Sequence, residues 1–144
     1  MKFWDSSAIV PLVSDEEKSA WARKQLRTDP VGIVWCLSSV EVQSALARRL
    51  REGALSRKDH DAAERRSRAL FRSMSRVVAI EPVLQRALRI VNVHPLRAAD
   101  SLQLAAALVV SRDRPADLTF ATLDVRLAEV ARSEGFPVEI DWGT

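Results

Sequence analysis

"RAADSLQLAAAL", residues 97–108, decides how the chain is built. From Ala98 to Val110 only Asp100, Ser101 and Gln103 are polar. A helix wound from this stretch is apolar on nearly every face, and such a helix is normally buried. One carboxylate goes in with it. Asp100 lies one turn from Leu96 and one turn from Leu104. An ionised carboxylate loses its hydration when buried and needs a partner there.

The flanking segments supply layers able to cover such a helix. "KFWD" (2–5) opens as a strand, and "SSAIVPLVS" (6–14) and "DEEKSAWARKQLR" (15–27) follow as helices. "GIVWCLS" (32–38) is a second strand, then a helix runs over 39–53 to Gly53 and a strongly charged one over 56–74. Ala62, Ala63, Leu70 and Met74 give that charged segment its apolar stripe. "RVVAI" (76–80) is a third strand, with helices over 82–93 and about 96–111. "LTFATLD" (118–124) is a fourth strand, "VRLAEVARSEG" (125–135) a helix closed by a glycine cap, and "PVEI" (137–140) a fifth strand. Short apolar strands alternating with helices imply an α/β fold with a mainly parallel central sheet of about five strands, helices on both faces, and a single domain over 1–144.

The totals agree with a globular domain. The chain has 144 residues, 47% of them hydrophobic and 28% charged. The net charge of +3 permits a polyanionic partner without demanding one. The single cysteine, Cys36, cannot form an internal disulfide, and its place in "VGIVWC" reads as a buried strand position in a reducing compartment. The first apolar stretch is interrupted by Asp5 and lacks a basic leader region. No run approaches the length of a membrane span. The expectation is a cytoplasmic protein with no membrane partner.

In open α/β sheets, ligands bind beyond the carboxyl ends of the strands. Asp5 ends the first strand, Glu41 lies in the first turn after the second, and Asp124 follows the fourth. Asp100 joins them if the start of its helix reaches that edge. Each acid also has a structural reading. Ser38-x-x-Glu41 has the pattern of a capping box, while Asp124 and Asp5 suit helix N-caps. Asp100 resists this, because "PLRAAD" places it after the helix has begun. Gathered together, four carboxylates repel, raise one another's pKa values or recruit a cation. An all-oxygen donor set suits magnesium, with manganese as a substitute. Cys36, His60 and His94 have no zinc-ligand spacing. The chemistry implied is metal-assisted attack of water on a phosphodiester.

"FWDSSAIV", "SSVEVQSAL", "LRAADSLQLAAAL" and "FATLDVRLAEVARSEGF" resemble, in order and spacing, the motifs of the PIN domain. The resemblance spans Lys2 to about Ile140, and a free-standing domain of this size is similar to the VapC-type toxins of toxin–antitoxin pairs. It implies a Mg²⁺-dependent endoribonuclease, with Mn²⁺ as the substitute ion, whose acidic residues fall on Asp5, Glu41, Asp100 and Asp124. Asp5 and Asp100 are the first choices as metal ligands. The family's small hydroxyl falls on Ser6 or Ser7, and its Thr-x-Asp on Thr122 and Asp124. Ser6, Ser7, Thr122 and Arg97 are the candidates for positioning water or phosphate. Gln103 stands where many relatives carry histidine, at a variable position. The partners implied are an RNA substrate, a VapB-like antitoxin whose basic residue enters the acidic cup, and a second copy in a homodimer.

Arg48, Arg49, Arg51, Arg65, Arg66, Arg68 and Arg72 read either as an RNA path or as a solvated helix face. His60 and His94 read as surface or turn residues, and Trp4, Trp21, Trp35 and Trp142 mostly as core. An aspartyl-phosphate reading of Asp5 lacks its companions: Ser7 stands where a dehalogenase-like phosphatase carries a second aspartate, and a receiver's adjacent acidic pair is absent. A non-catalytic PIN-like module is disfavoured by the retention of all four acids. A housekeeping RNA-processing nuclease of the same family is not separated from a toxin by these residues.

Overall fold

Successive residues of a strand point to opposite faces of its sheet, and in the computed structural model, which describes residues 1–143, the short strands use both faces. They are β1 (Lys2–Trp4), β2 (Gly32–Trp35), β3 (Ser75–Val77), β4 (Thr119–Ala121) and β5 (Val138–Glu139). All pair in parallel, in the order β3-β2-β1-β4-β5, with Phe3 opposite both Ile33 and Phe120. Phe3, Ile33, Trp35 and Phe120 enter one core, and Trp4, Val34 and Ala121 enter the other.

Helices α1 (Ser6–Val13), α2 (Ser19–Thr28), α3 (Ser38–Arg51) and α4 (Arg57–Ser73) cover the Trp4 side. Helices α5 (Ile80–Val93), α6 (Ala98–Val110) and α7 (Val125–Ser133) cover the Phe3 side. The change of side follows from the handedness of parallel crossovers. The chain moves outward from β1 through β2 to β3 over one face, then returns to β4 and β5 over the other. The long return places α6 against the sheet, where Leu104, Ala105, Ala106 and Ala107 are fully buried. This is the layer that the apolar helix required.

Aromatic packing ties β1, β4 and the end of α7 together. The Phe3 and Phe120 rings stack at 5.4 Å, and Phe136 lies 5.7 Å from Phe120. Gly135, at φ +101°, lets the chain leave α7: its N–H bonds to Arg132 O while Phe136 N–H reaches back to Ala131 O. No helix among the described residues is long and apolar enough to cross a membrane.

Several local expectations are corrected. Residues 15–18 form a turn, because Ser19 Oγ accepts from Glu16 N–H and donates to the Ser14 carbonyl. β2 ends at Trp35, so Cys36 is a half-buried turn residue; its N–H still donates to Val77 O. β3 stops at Val77 and α5 starts at Ile80, with Pro82 in a first turn where a missing N–H is harmless. The buried stripe of α4 is His60, Ala63, Ser67 and Phe71, so His60 is an interior residue. His94 lies in the bend after α5, as read, and is half-buried 2.9 Å from Glu134 Oε2. Trp142 is exposed, with the Arg132 guanidinium over its ring.

Candidate active site

The direction of the chain reverses at β1, the central strand, and the crevice beyond β1 and β4 is the place such a sheet offers a ligand. Asp5 follows β1 directly, and its N–H bonds to Ala121 O of β4 at 3.0 Å. Asp124 leaves β4 on the other side of the crevice and starts α7. Glu41 and Asp100 sit in the first turns of α3 and α6. All four acids therefore stand at helix N-termini, where unpaired N–H groups and the helix dipole favour negative charge.

Asp5 is 2% exposed and is held by two hydroxyls. Ser7 Oγ donates to its Oδ2 at 2.5 Å and Thr122 Oγ1 to the same oxygen at 2.9 Å. These hydroxyls are fixed in turn: Leu123 N–H donates to Ser7 Oγ, and Asp124 N–H to Thr122 Oγ1. Glu41 is held at both oxygens. Ser6 Oγ donates to Oε2 at 3.2 Å and Gln103 Nε2 to Oε1 at 2.9 Å. Asp124 Oδ1 caps α7 through Leu127 N–H, so its structural reading is realised. The capping box is not: Ser38 and Glu41 lie inside α3, whose N-cap is Leu37.

The carboxylates share one electrostatic field. Burial raises the Asp5 pKa to about 6 against the pull of its Ser7 and Thr122 hydrogen bonds, and the charge of Glu41 adds to the rise. Asp100 also stands at about 6, raised first by burial and then by Asp5 and Asp124, with only the charge of Arg97 opposing and no hydrogen bond to relieve it. Glu41 is raised by burial and by Asp100, against the donors Gln103 and Ser6. Among the described residues none of the four forms an ion pair. Asp100, the acid that sequence could not tie to this edge, is close enough to Asp5 and Asp124 for their charges to act on it.

Among the described residues no group of three or more His, Cys, Asp or Glu side chains forms a ready-made metal cage. The donor chemistry nevertheless suits a hard divalent cation: oxygen ligands only, mutually repelling, and lacking a cationic partner. An ion that keeps several of its waters needs no closed cage of side chains.

The other anticipated residues have defined places. Ser7 and Thr122 give their hydroxyl protons to Asp5, and Ser6 gives its own to Glu41. Arg97 is exposed at the N-cap of α6 and acts on Asp100 through its charge. Arg49 pairs with Glu16, Arg68 with Glu64, and Arg66 donates to Val13 O. An open groove between α3 and α4 is bordered by Arg51, Arg68, Arg72 and Arg76, and it extends to Ser39 and Val40 beside Glu41. Gln103 is a polar residue at the site to which sequence reasoning assigned no role, and Ser38, read there as part of a capping box, instead accepts from the Gln103 amide. The signal was present: Gln103 lies three residues after Asp100 on an apolar helix, so both face the same way.

No curated protein matches the chain. Solved structures similar to it in fold include the following. PAE2754 from Pyrobaculum aerophilum has a TM-score of 0.65 at 20% identity, covering 96% of this chain and 87% of that one. FitAcB from Neisseria gonorrhoeae has 0.69 at 18%, covering 100% of both chains. FitAB bound to an IR36 DNA fragment has 0.66 at 18%, covering 100% of this chain and 97% of that one. The PIN domain family matches residues 2–133, from the first strand through the last helix and across all four acids. The chain belongs to the PIN domain family.

Proposed function

We propose that this protein is a Mg²⁺-dependent endoribonuclease, with Mn²⁺ as an alternative ion, and that it acts in the cytoplasm as the toxin of a VapC-type toxin–antitoxin pair. Residues 1–144 act as one nuclease domain. The observation that carries the reading is the placing of Asp5, Glu41, Asp100 and Asp124 at helix starts around one crevice, where their charges act on one another and none has an ion-pair partner among the described residues. Membership of the PIN family supports nuclease chemistry, and the fold shared with FitAB, solved on a DNA fragment, is compatible with work near nucleic acid.

Asp5 and Asp100 would hold the ion, and Glu41 and Asp124 would complete the cup. A divalent ion there would supply a water of lowered pKa and neutralise charge developing on the phosphate. Ser7 and Thr122 keep Asp5 oriented during turnover, and Ser6 keeps Glu41 oriented. Arg97, at the lip, contacts a phosphate of the substrate. The remaining phosphates follow the α3–α4 groove past Arg51, Arg72 and Arg76, whose guanidinium groups bind the backbone without reading sequence. Single-stranded or looped RNA suits this arrangement, since its backbone can bend into a crevice. A small antitoxin inserts an arginine or lysine into the cup. A homodimer forms through the exposed apolar face of α5, which carries Leu84, Leu88 and Val91.

The test is cleavage of a mixed pool of labelled single-stranded RNA, hairpin RNA and duplex DNA by the purified chain. Mg²⁺-dependent cleavage of the RNAs, abolished by chelator, is the expected result. Equal cleavage of duplex DNA, or cleavage indifferent to chelator, overturns the reading.

A further inference from the structure

Gln103 is fully buried, and so is Ser38. The two hydrogens of the Gln103 amide are both used: Nε2 donates to Ser38 Oγ at 2.9 Å and to Glu41 Oε1 at 2.9 Å. The amide has one tenable orientation, because turning it over would set its carbonyl oxygen against the Glu41 carboxylate. Its Oε1 has no hydrogen-bond partner among the described residues. A buried acceptor without a partner costs stability, and leucine would fill this position in α6 without that cost. Packing alone therefore does not account for glutamine here.

We propose that Gln103 is the positioning residue for Glu41. Its amide, anchored on Ser38, ties the first turn of α3 to α6 and holds Glu41 at a fixed place opposite Asp100. Asp100 and Gln103 are one turn apart on the same face of α6, so a single helix delivers one acid and clamps another. Ser6 Oγ holds the second oxygen of Glu41 from the start of α1. Glu41 is thus stretched between the helices that carry Asp5 and Asp100, and each of its oxygens keeps a lone pair free. This inference rests on the metal-dependent reading of the site. It assigns to Gln103 the job that partners behind a metal ligand commonly do, whose loss weakens metal binding by roughly 10–100-fold.

The experiment is Mn²⁺ titration of the full chain, followed by electron paramagnetic resonance, for the wild type and Gln103→Leu, Gln103→His and Ser38→Ala. Thermal melts without metal accompany each titration. Gln103→Leu should bind Mn²⁺ about 10-fold or more weakly. It removes an unpartnered buried acceptor but also leaves Ser38 Oγ and Glu41 Oε1 without their donor, so the metal-free melt shows how much of the loss is instability. Gln103→His, whose ring N–H can donate, should recover part of the affinity. Ser38→Ala, which leaves Glu41 untouched, should lie between, and it carries the test if Gln103→Leu does not fold. Wild-type Mn²⁺ affinity in the clamp variants, or no Mn²⁺ binding by the wild type, overturns the proposal. Losses that only follow melting temperature, without recovery by histidine, also overturn it. Gln103-dependent Mn²⁺ binding in a protein that cleaves no RNA would uphold the clamp and remove the nuclease reading.

Discussion

Replacing Asp5 by asparagine should make the metal-free protein more stable. The Asp5 carboxyl is 2% exposed, and its pKa stands at about 6 where 3.8 is ordinary. Burial is the main cause. An acid whose folded pKa is raised holds its proton more tightly when folded. Stability is therefore intact below the unfolded pKa and declines as pH rises through about 6. A shift of about two units, at roughly 1.4 kcal/mol each, makes the ionised form cost about 3 kcal/mol near neutral pH. Asparagine keeps an oxygen to accept from Ser7 and Thr122, and it carries no charge. Asp5→Asn should then raise the melting temperature by roughly 10 °C in chelator at about pH 7.5, and by almost nothing at about pH 4. Added Mg²⁺ should narrow the gap, because only the wild type gains: about 2.7 kcal/mol at 100 times the dissociation constant. Melts followed by circular dichroism across this range read all three effects. A variant no more stable than the wild type near neutrality, or equally favoured in acid, would refute the reasoning.

Charge reversal at the groove, Arg51→Glu with Arg72→Glu, should weaken metal-free binding of a single-stranded RNA about tenfold or more and flatten its salt dependence, as fewer counterions are released; fluorescence anisotropy over a salt series measures both. Glu134, whose pKa is lowered chiefly by its bond to Arg89, with His94 assisting, adds stability above its unfolded pKa that is lost as pH falls through the lower folded value. Glu134→Gln should cost about 1 kcal/mol near neutrality, discounted for the exposed arginine, and less in acid, as read by urea melts. In a co-purified antitoxin complex, removing the basic residue that enters the cup should restore RNA cleavage while the two chains stay associated, as shown by an activity assay beside gel filtration.

The layered fold was legible because its signals are local: short, continuously apolar strand runs such as "GIVW" alternating with helices, and the all-round apolarity of α6. Element ends were less legible, because they depend on hydrogen bonds made elsewhere. Ser19 closes a turn that propensity alone would have made helical, and β2 yields Cys36 to the turn that launches α3. Asp5, Glu41 and Asp124 could be placed from the strand-end rule. Asp100 could not, since its position depends on the length and path of the crossover from β3 to β4. The Gln103–Glu41 bond spans 62 residues. Nothing local to either residue announces it, beyond a second polar side chain on the buried face of α6. His60 and Trp142 were misplaced for a related reason: the rotation of α4 and the path after β5 are set by packing against other elements.

The most direct measurement of the central claim pairs metal binding with RNA cleavage in Asp100→Asn. Asp100 makes no hydrogen bond that supports the fold, and its pKa is raised by burial and by the neighbouring acids. Removing its charge should therefore leave the metal-free protein folded and at least as stable as the wild type. The same variant should lose Mn²⁺ affinity in calorimetry and lose Mg²⁺-dependent cleavage of single-stranded RNA. A folded Asp100→Asn protein that binds Mn²⁺ and cuts RNA as the wild type does would contradict the account.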